Sequence, residues 1–147
     1  MERNADVGDI DVEGLAAAAR EAQQAAYAPY SRFAVGAAIL ADSGRVYRGC
    51  NVENASYPVT VCAERAALCA AVVAGERSFR AIAVYVDGPG AAMPCGLCRQ
   101  ALAEFGLDTL VIAASADGTR HLERLAELLP DAFLGDALAD AGQEKSR

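Results

Sequence analysis

The pattern of apolar and polar positions predicts short helices and strands that follow one another along the chain. Apolar residues recur at helical spacing from Ile10 to Tyr27, and Pro29 cannot continue that helix. Unbroken apolar runs such as Ala81 to Val86 are typical of buried strands. The pattern predicts, in chain order, helix 10–27, strands 34–40 and 45–52, helix 62–74, strand 81–86, helix 95–105, strands 109–114 and 119–121, and a short helix over 122–129 that ends at Pro130.

The order of these elements predicts the fold. Asp42-Ser43-Gly44 is a short polar turn, so the strands on either side of it are expected to form a hairpin. The strand–helix–strand order from 81 to 114 predicts parallel pairing with a right-handed crossover. We therefore expect an α/β fold, a three-layer α/β/α sandwich on a mixed five-stranded sheet. Because the 147 residues contain no repeat or linker, one domain over 1–147 is predicted, with 1–9 and 135–147 as loose tails.

Two cysteine clusters carry the candidate chemistry: Cys62-Ala63-Glu64 and Pro94-Cys95-Gly96-Leu97-Cys98. Each cluster opens a predicted helix, where the positive end of the helix dipole favours a thiolate. Cys95 and Cys98 are three residues apart and so share one helix face. Three thiolates leave the fourth position of a tetrahedral zinc open, which is typical of a catalytic rather than a structural zinc. The sequence therefore predicts one Zn²⁺ per chain on these three cysteines.

Glu64 is the candidate proton shuttle of this site. Residues two apart in a helix differ by about 200° of rotation, so Cys62 and Glu64 can serve one metal only if it lies beyond the helix end. Two helix N-termini that face a common ion meet this condition. Cys-Ala-Glu, followed about thirty residues later by Pro-Cys-x-x-Cys, also matches the three-cysteine form of the zinc deaminase signature.

Other interpretations of the cysteines stay open at this point. A structural zinc site or a thiol–disulfide pair also uses Cys-x-x-Cys, although a structural site normally has a fourth Cys or His and the one histidine, His121, lies far along the chain. Cys50 and Cys69 fall outside the pattern, and Cys69 is expected to be a small buried hydrophobe. For the polar segment 51–58 two interpretations are open: it lines a pocket, or it only caps the helix that follows.

Composition and charge narrow the class of protein. Hydrophobic residues make up 54% and charged residues 22% of the chain, as in globular rather than disordered proteins. A net charge of −7 argues against a nucleic-acid partner. The polar, acidic N-terminus predicts no signal peptide, and no apolar run is long enough to span a membrane. Five cysteines then favour metal binding in a reducing cytoplasm over disulfides.

Four motifs and a C-terminal match together resemble one family, the small homotetrameric zinc-dependent cytidine deaminases of pyrimidine salvage, over roughly residues 12 to 134. They are Tyr27-Ala28-Pro29-Tyr30-Ser31-x-Phe33-x-Val35-Gly36-Ala37-Ala38, Gly49-Cys50-Asn51-Val52-Glu53-Asn54-Ala55-Ser56-Tyr57, Cys62-Ala63-Glu64-Arg65, Pro94-Cys95-Gly96-x-Cys98-Arg99-Gln100, and Leu128-Leu129-Pro130-x-x-Phe133.

The resemblance implies a role for each matching residue. Cys62, Cys95 and Cys98 would bind zinc, and Glu64 would move protons between water, N3 of cytosine and the departing ammonia. Deamination would convert cytidine and deoxycytidine to uridine and deoxyuridine. The implied substrate contacts are Phe33, Asn51, Glu53, Tyr57, Ala63 and Phe133, of which Asn51 and Glu53 would hold the ribose and Phe133 would close a neighbouring subunit's pocket. Arg65 would bond the zinc thiolates, unless it is only a solvated helix position.

Three rival functions use similar residues. A deaminase of a modified nucleoside such as blasticidin S is the first, although Asn51, Glu53 and Tyr57 favour plain cytidine. A nucleic-acid editing deaminase would need a basic groove, and the net charge of −7 argues against one. A zinc-stabilised scaffold without activity is disfavoured by Glu64 and by the open fourth zinc position.

Overall fold

The computed structural model describes residues 5–143. Its elements, in chain order, are helix α1 (Val12–Gln23), strands β1 (Val35–Ala41) and β2 (Val46–Cys50), a single 3₁₀ turn (Tyr57–Val59), helix α2 (Ala63–Val73), strand β3 (Phe79–Val86), helix α3 (Gly96–Ala103), strands β4 (Leu110–Ser115) and β5 (Arg120–Arg124), and helices α4 (Leu125–Leu128) and α5 (Gly135–Gln143). None of the helices in this described part is long and apolar enough to cross a bilayer.

The five strands form one sheet in the order β2-β1-β3-β4-β5. β3 and β4 pair in parallel, with Ala83 opposite Ile112, as the strand–helix–strand order predicted. The other neighbours are antiparallel, and the β1–β2 hairpin places Ala38 opposite Arg48. The expected mixed five-stranded sheet is therefore confirmed.

Two apolar cores, one on each face of the sheet, make the fold three layers deep. On one face Leu15, Ala16 and Ala19 of α1 pack against Ala38, while on the other Ala67 and Leu68 of α2 pack among residues of β1, β3 and α3. Successive strand residues point to opposite faces, which is why neighbours such as Ala37 and Ala38 belong to different cores. The predicted α/β/α sandwich is confirmed by this arrangement.

A glycine in each of the two hairpin strands lets a helix approach the sheet closely. A Cβ atom on Gly36 would lie 1.9 Å from the carbonyl oxygen of Ala19 in α1. On Gly49 it would lie 2.3 Å from the backbone nitrogen of Ala67 in α2. No side chain fits at either contact, so both positions require glycine for steric reasons rather than for backbone freedom.

The structure shows contacts at the chain ends and places the last short helix differently from the prediction. In the predicted N-terminal tail, Asp9 pairs with Arg80 and the Asp6 carbonyl accepts from Arg124. The expected loose tail from 135 contains α5, while 1–4 and 144–147 lie outside the described residues. The helix predicted over 122–129 begins only at Leu125, since Leu122 pairs with Ile112 and extends β5.

Candidate active site

The cysteine ligands lie where two helices begin at the same end of the sheet. Cys62 is the N-cap of α2 and Cys95 is the N-cap of α3, both with extended backbone, so each helix starts one residue later than predicted. Cys98 lies in the first turn of α3 and is buried. Because Cys62 precedes the helix proper, its sulfur reaches beyond the helix end, as a shared metal requires.

The three sulfur atoms are spaced as one tetrahedral metal would hold them. The Sγ atoms of Cys62 and Cys95 are 3.9 Å apart, and those of Cys95 and Cys98 are 3.6 Å apart. All three lie within 4.8 Å of one another. Thiolates bound to one tetrahedral zinc at about 2.3 Å stand about 3.8 Å apart. The donor set therefore fits Zn²⁺ in both chemistry and spacing.

The electrostatics of the thiols also fit a cation. Burial, the nearby carboxylate of Glu64 and the thiol of Cys62 raise the pKa of Cys98 far above the ordinary value. Burial opposes ionisation of Cys95 too, but hydrogen bonds from the Cys98 and Leu97 amides and the neighbouring thiols lower the pKa of Cys95 overall. Three thiolates this close repel one another, so a bound divalent cation is what allows all of them to ionise.

Arg65 lies beside this cluster. Its Nη2 donates to Sγ of Cys62 at 3.8 Å and to the carbonyl of Thr60 at 3.2 Å. Its Nε is buried and has no hydrogen-bond partner among the described residues. The guanidinium is therefore directed at the sulfurs and places one positive charge next to a site that three thiolates make negative.

Glu64 is a buried carboxylic acid next to the cysteines. It occupies the first turn of α2, and only 6% of its surface is exposed. Burial raises the pKa of Glu64, while its own backbone N–H, Cys98 and Arg65 act in the opposite direction. A carboxyl group whose pKa is raised by burial inside a cavity is typical of catalytic acids and bases.

A cavity of about 280 Å³ opens over the cysteines and Glu64. Seven predicted site residues share it, namely Phe33, Asn51, Glu53, Cys62, Ala63, Glu64 and Cys95. Its remaining lining is Ser31, Val35, Thr60, Val84, Ala92 and Met93. None of these six residues was predicted to line the site, although Met93 directly precedes the second cysteine cluster and Val84 lies near the carboxyl end of β3, where ligands of such sheets bind.

The polar side chains of the cavity are held by the loop before β1. Nδ2 of Asn51 donates to the carbonyl of Phe33 at 2.8 Å, and its Oδ1 accepts from the amide of Val35 at 2.9 Å. Oε1 of Glu53 accepts from the amides of Tyr30 and Ser31 at 2.9 and 3.1 Å. Hydrogen bonds from the Ser31 hydroxyl and amide and from the Tyr30 amide lower the pKa of Glu53, and burial opposes this. The segment 51–58 thus lines a pocket through its first residues.

Two of the predicted substrate contacts lie outside this cavity. Tyr57 lines an adjoining cavity of about 370 Å³, which also includes Glu53 and Thr60, and its ring packs edge-on against Tyr30 with centroids 5.8 Å apart. Phe133 lines neither cavity and is 60% exposed.

Of the two cysteines outside the predicted metal site, Cys50 is half-buried. Cys69 is exposed, so the prediction that it is buried is wrong.

A larger cavity, of about 460 Å³, lies away from this chemistry. It is enclosed by residues 6–10, the start of β3 and Arg124. The three cysteines and Glu64 are not part of it. We therefore place the candidate active site in the smaller cavity, which Cys62, Cys95 and Glu64 line, with the sulfur of Cys98 3.6 Å from that of Cys95.

Comparison with known proteins gives a consistent result. A family model described as the cytidine and deoxycytidylate deaminase zinc-binding region matches residues 10–114. The cytidine deaminase of Mycobacterium tuberculosis is 52% identical over 126 residues, which are 85% of this chain and 91% of that protein. The cytidine deaminase of Sporosarcina psychrophila is 46% identical over 136 residues, 92% of this chain and 100% of that protein.

Solved structures agree with the sequence matches. The crystal structure of cytidine deaminase from Burkholderia pseudomallei superimposes with a TM-score of 0.80 at 47% identity, covering 82% of this chain and 98% of that chain. The crystal structure of the Mycobacterium tuberculosis enzyme gives a TM-score of 0.76, covering 85% of this chain and 98% of that chain.

Proposed function

The chain belongs to the cytidine and deoxycytidylate deaminase family, and from that premise we propose that it hydrolyses cytidine and deoxycytidine to uridine and deoxyuridine with release of ammonia. One observation carries the proposal. Cys62, Cys95 and the buried carboxylic acid of Glu64 line a single cavity large enough to receive a pyrimidine, and the sulfur of Cys98 lies within metal-binding distance of the other two sulfurs.

Glu64 performs the proton transfers in this proposal. Zinc held by Cys62, Cys95 and Cys98 would supply an acidified water and a Lewis acid. Glu64 accepts a proton on that side of the cavity and passes it to N3 of the cytosine. Once the water oxygen has added to C4, the same carboxylate takes the remaining proton of that oxygen and gives it to the C4 amino group, so that the C4–N bond breaks, the C4 carbonyl of uridine forms and ammonia leaves. Burial suits Glu64 to this work, because it brings the protonated and ionised forms closer in free energy.

The remaining cavity residues orient the nucleoside. Phe33 packs against the pyrimidine, and Ala63 borders the ring on the metal side. Asn51 and Glu53 hold the ribose hydroxyls. Their existing bonds to the loop use only part of their capacity, since each amide or carboxylate oxygen has two lone pairs and the Asn51 amide has a second N–H. The loop bonds fix both side chains before substrate arrives, which lowers the entropy lost on binding.

We also propose that the protein assembles as a homotetramer with active sites at subunit interfaces. Exposed aromatic residues support this, because Tyr30, Phe33, Tyr57 and Phe133 are each at least 48% exposed in the single chain. In the assembly Tyr57 reaches the ribose side of a pocket, and Phe133 closes the pocket of an adjacent subunit. Single-chain pockets that lack Phe133 are then incomplete, and activity depends on assembly.

The proposed setting is pyrimidine salvage in the cytoplasm. Three cysteine ligands must stay reduced to bind metal, which favours a reducing compartment. The substrate is a small free nucleoside rather than nucleic acid, because the net charge of −7 opposes binding to a phosphate backbone.

Ammonia release from cytidine by the purified protein, with bound metal measured on the same sample, tests the proposal. Turnover with about one zinc per chain is the expected result. Zinc without turnover of cytidine or deoxycytidine would contradict the substrate assignment, and a modified cytosine nucleoside would then be assayed. If the protein holds no zinc and shows no turnover, the site itself is contradicted.

A further inference from the structure

Two consecutive residues of α3 hold the C-terminal segment 128–133. Nη1 of Arg99 donates to the carbonyl of Leu128 at 2.9 Å, and Nε2 of Gln100 donates to the carbonyl of Phe133 at 2.8 Å. Neither side chain lines the cavity over the cysteines. The segment is therefore fixed at both of its ends by the helix that carries Cys98.

Arg99 also holds the metal-ligating turn. Its Nε donates to the carbonyl of Pro94 at 2.8 Å, and its backbone N–H donates to the carbonyl of Cys95 at 3.0 Å. The bond to Cys95 is the ordinary helical bond that any residue but proline would make at 99, so what the Arg99 side chain itself holds is the peptide unit between Pro94 and Cys95. Pro94 is fully buried, and loss of this donor would leave its carbonyl without that partner where water has little access.

The planar guanidinium of arginine suits this connection. The guanidinium presents several N–H donors in a rigid plane, and Arg99 uses two of them on carbonyls that are far apart in sequence. The Leu128 carbonyl lies at the C-terminal end of α4, where helix carbonyls lack partners in the helix and attract positive charge. Among the described residues Arg99 forms no ion pair, so its charge strengthens the bonds to these carbonyls.

We propose that Arg99 is a positioning residue that couples the metal-ligating turn to the C-terminal segment, and that Gln100 fixes the far end of that segment beside Phe133. The inference deepens the proposed function and rests on it for one point, that Phe133 serves the pocket of a neighbouring subunit. A disturbance of the segment then reaches the cysteines of its own subunit through Arg99. The same disturbance reaches the neighbouring substrate pocket through Phe133.

Zinc release to a chelator and amide hydrogen exchange, measured on the zinc-loaded protein, test the coupling. Arg99→Lys keeps the charge but not the planar set of donors that reaches both carbonyls. Zinc is therefore expected to leave about tenfold faster, and the amides in 129–134 are expected to exchange faster. Gln100→Ala is expected to speed exchange around Phe133 and to raise KM with little change in kcat or zinc release. Arg77→Lys is the matched control, because Arg77 also donates to two carbonyls, Val72 and Glu76, at the far end of α2.

The outcomes separate this inference from the proposed function. In Arg99→Lys, faster amide exchange in 129–134 without faster zinc release would overturn the coupling. Amide exchange and zinc release that both match wild type would overturn it as well. If Arg99→Lys does not fold, Arg99→Gln, which retains a single donor group, is measured in the same way. An inactive wild-type protein would refute the proposed function, yet zinc release and exchange would still decide whether Arg99 couples the two segments.

Discussion

Gly49 in β2 lies directly against Ala67 in α2, with space for a hydrogen atom but not for a methyl group. A Cβ on Gly49 would stand 2.3 Å from the Ala67 nitrogen and 2.5 Å from the Ala63 carbonyl oxygen. Both clashes are with backbone, which cannot rotate away. Because α2 begins at the Cys62 ligand and carries Glu64, this contact sets the height of the active site above the sheet.

Gly49→Ala is therefore expected to lower both stability and metal affinity. Forcing a methyl group into a packed contact typically costs about 1–3 kcal/mol, and here α2 must also move. Thermal unfolding and competition with a zinc chelator measure the two effects. Gly36→Ala, which presses on α1 across the sheet, is the control and is expected to lose similar stability with metal affinity near wild type. Equal metal affinity in both variants would contradict the role given to Gly49.

Much of the fold could be predicted because the sheet is buried on both faces. β3 and β4 are fully buried along nearly their whole length, so their apolar runs stand out in the sequence. Both cysteine clusters were also predictable, since their spacing and helix positions are local. β5 and α4 were harder, because Leu122 fits a helical spacing and only its pairing with Ile112 makes it a strand.

The contacts that join distant segments were not predictable. Nothing local to Ser31 or Thr60 indicates that these residues line the same cavity as Met93. The contacts of Arg80 on β3 with Asp9 and of Arg124 on β5 with the Asp6 carbonyl likewise depend on tertiary structure. Cys69 was expected to be buried from its residue type alone, but its helix turns it outward.

Metal removal should change the number of reactive thiols. In the zinc-loaded protein exposed Cys69 is expected to react quickly with a thiol reagent and half-buried Cys50 more slowly. After chelation Cys62 and Cys95 should become reactive as well, with buried Cys98 the slowest of the three, and the melting temperature should fall, since metal stabilises only the folded state. Adding zinc back should reverse both changes. A thiol count that chelation does not alter would show that the cysteines do not hold the metal.

Arg65→Gln should weaken catalysis while leaving the three ligands in place. It removes the positive charge that lies 3.8 Å from Cys62 Sγ. Loss of such an outer-shell partner typically costs about 10–100-fold in activity or metal affinity. A more negative site also disfavours loss of a proton, so the acidic limb of the kcat/KM profile should move to higher pH. Wild-type activity and an unmoved profile would mean that Arg65 is only a solvated helix residue.

Acid should weaken the link between the β1–β2 hairpin and the end of α2. Glu76 accepts hydrogen bonds from Ser43 at 2.6 Å and Tyr47 at 2.9 Å, and these bonds lower the pKa of Glu76. Because the folded-state pKa is depressed, this stabilisation is complete above the unfolded value of 4.5 and is lost as pH falls through the folded value. The melting temperature of Glu76→Gln should therefore fall less between pH 7 and pH 3 than that of wild type. An identical fall in the two proteins would contradict the stabilising role given to ionised Glu76.

The most direct test of the account replaces Glu64 with glutamine and compares the variant with wild type for ammonia release from cytidine and for bound zinc. Glutamine keeps the size of the side chain but cannot move protons, and general acid–base catalysis contributes about 10²–10⁴-fold. The account predicts about one zinc per chain, an unchanged or higher melting temperature, and at least about a hundredfold loss of turnover. A variant that holds zinc and retains more than about a tenth of wild-type turnover would show that the protons move through another group.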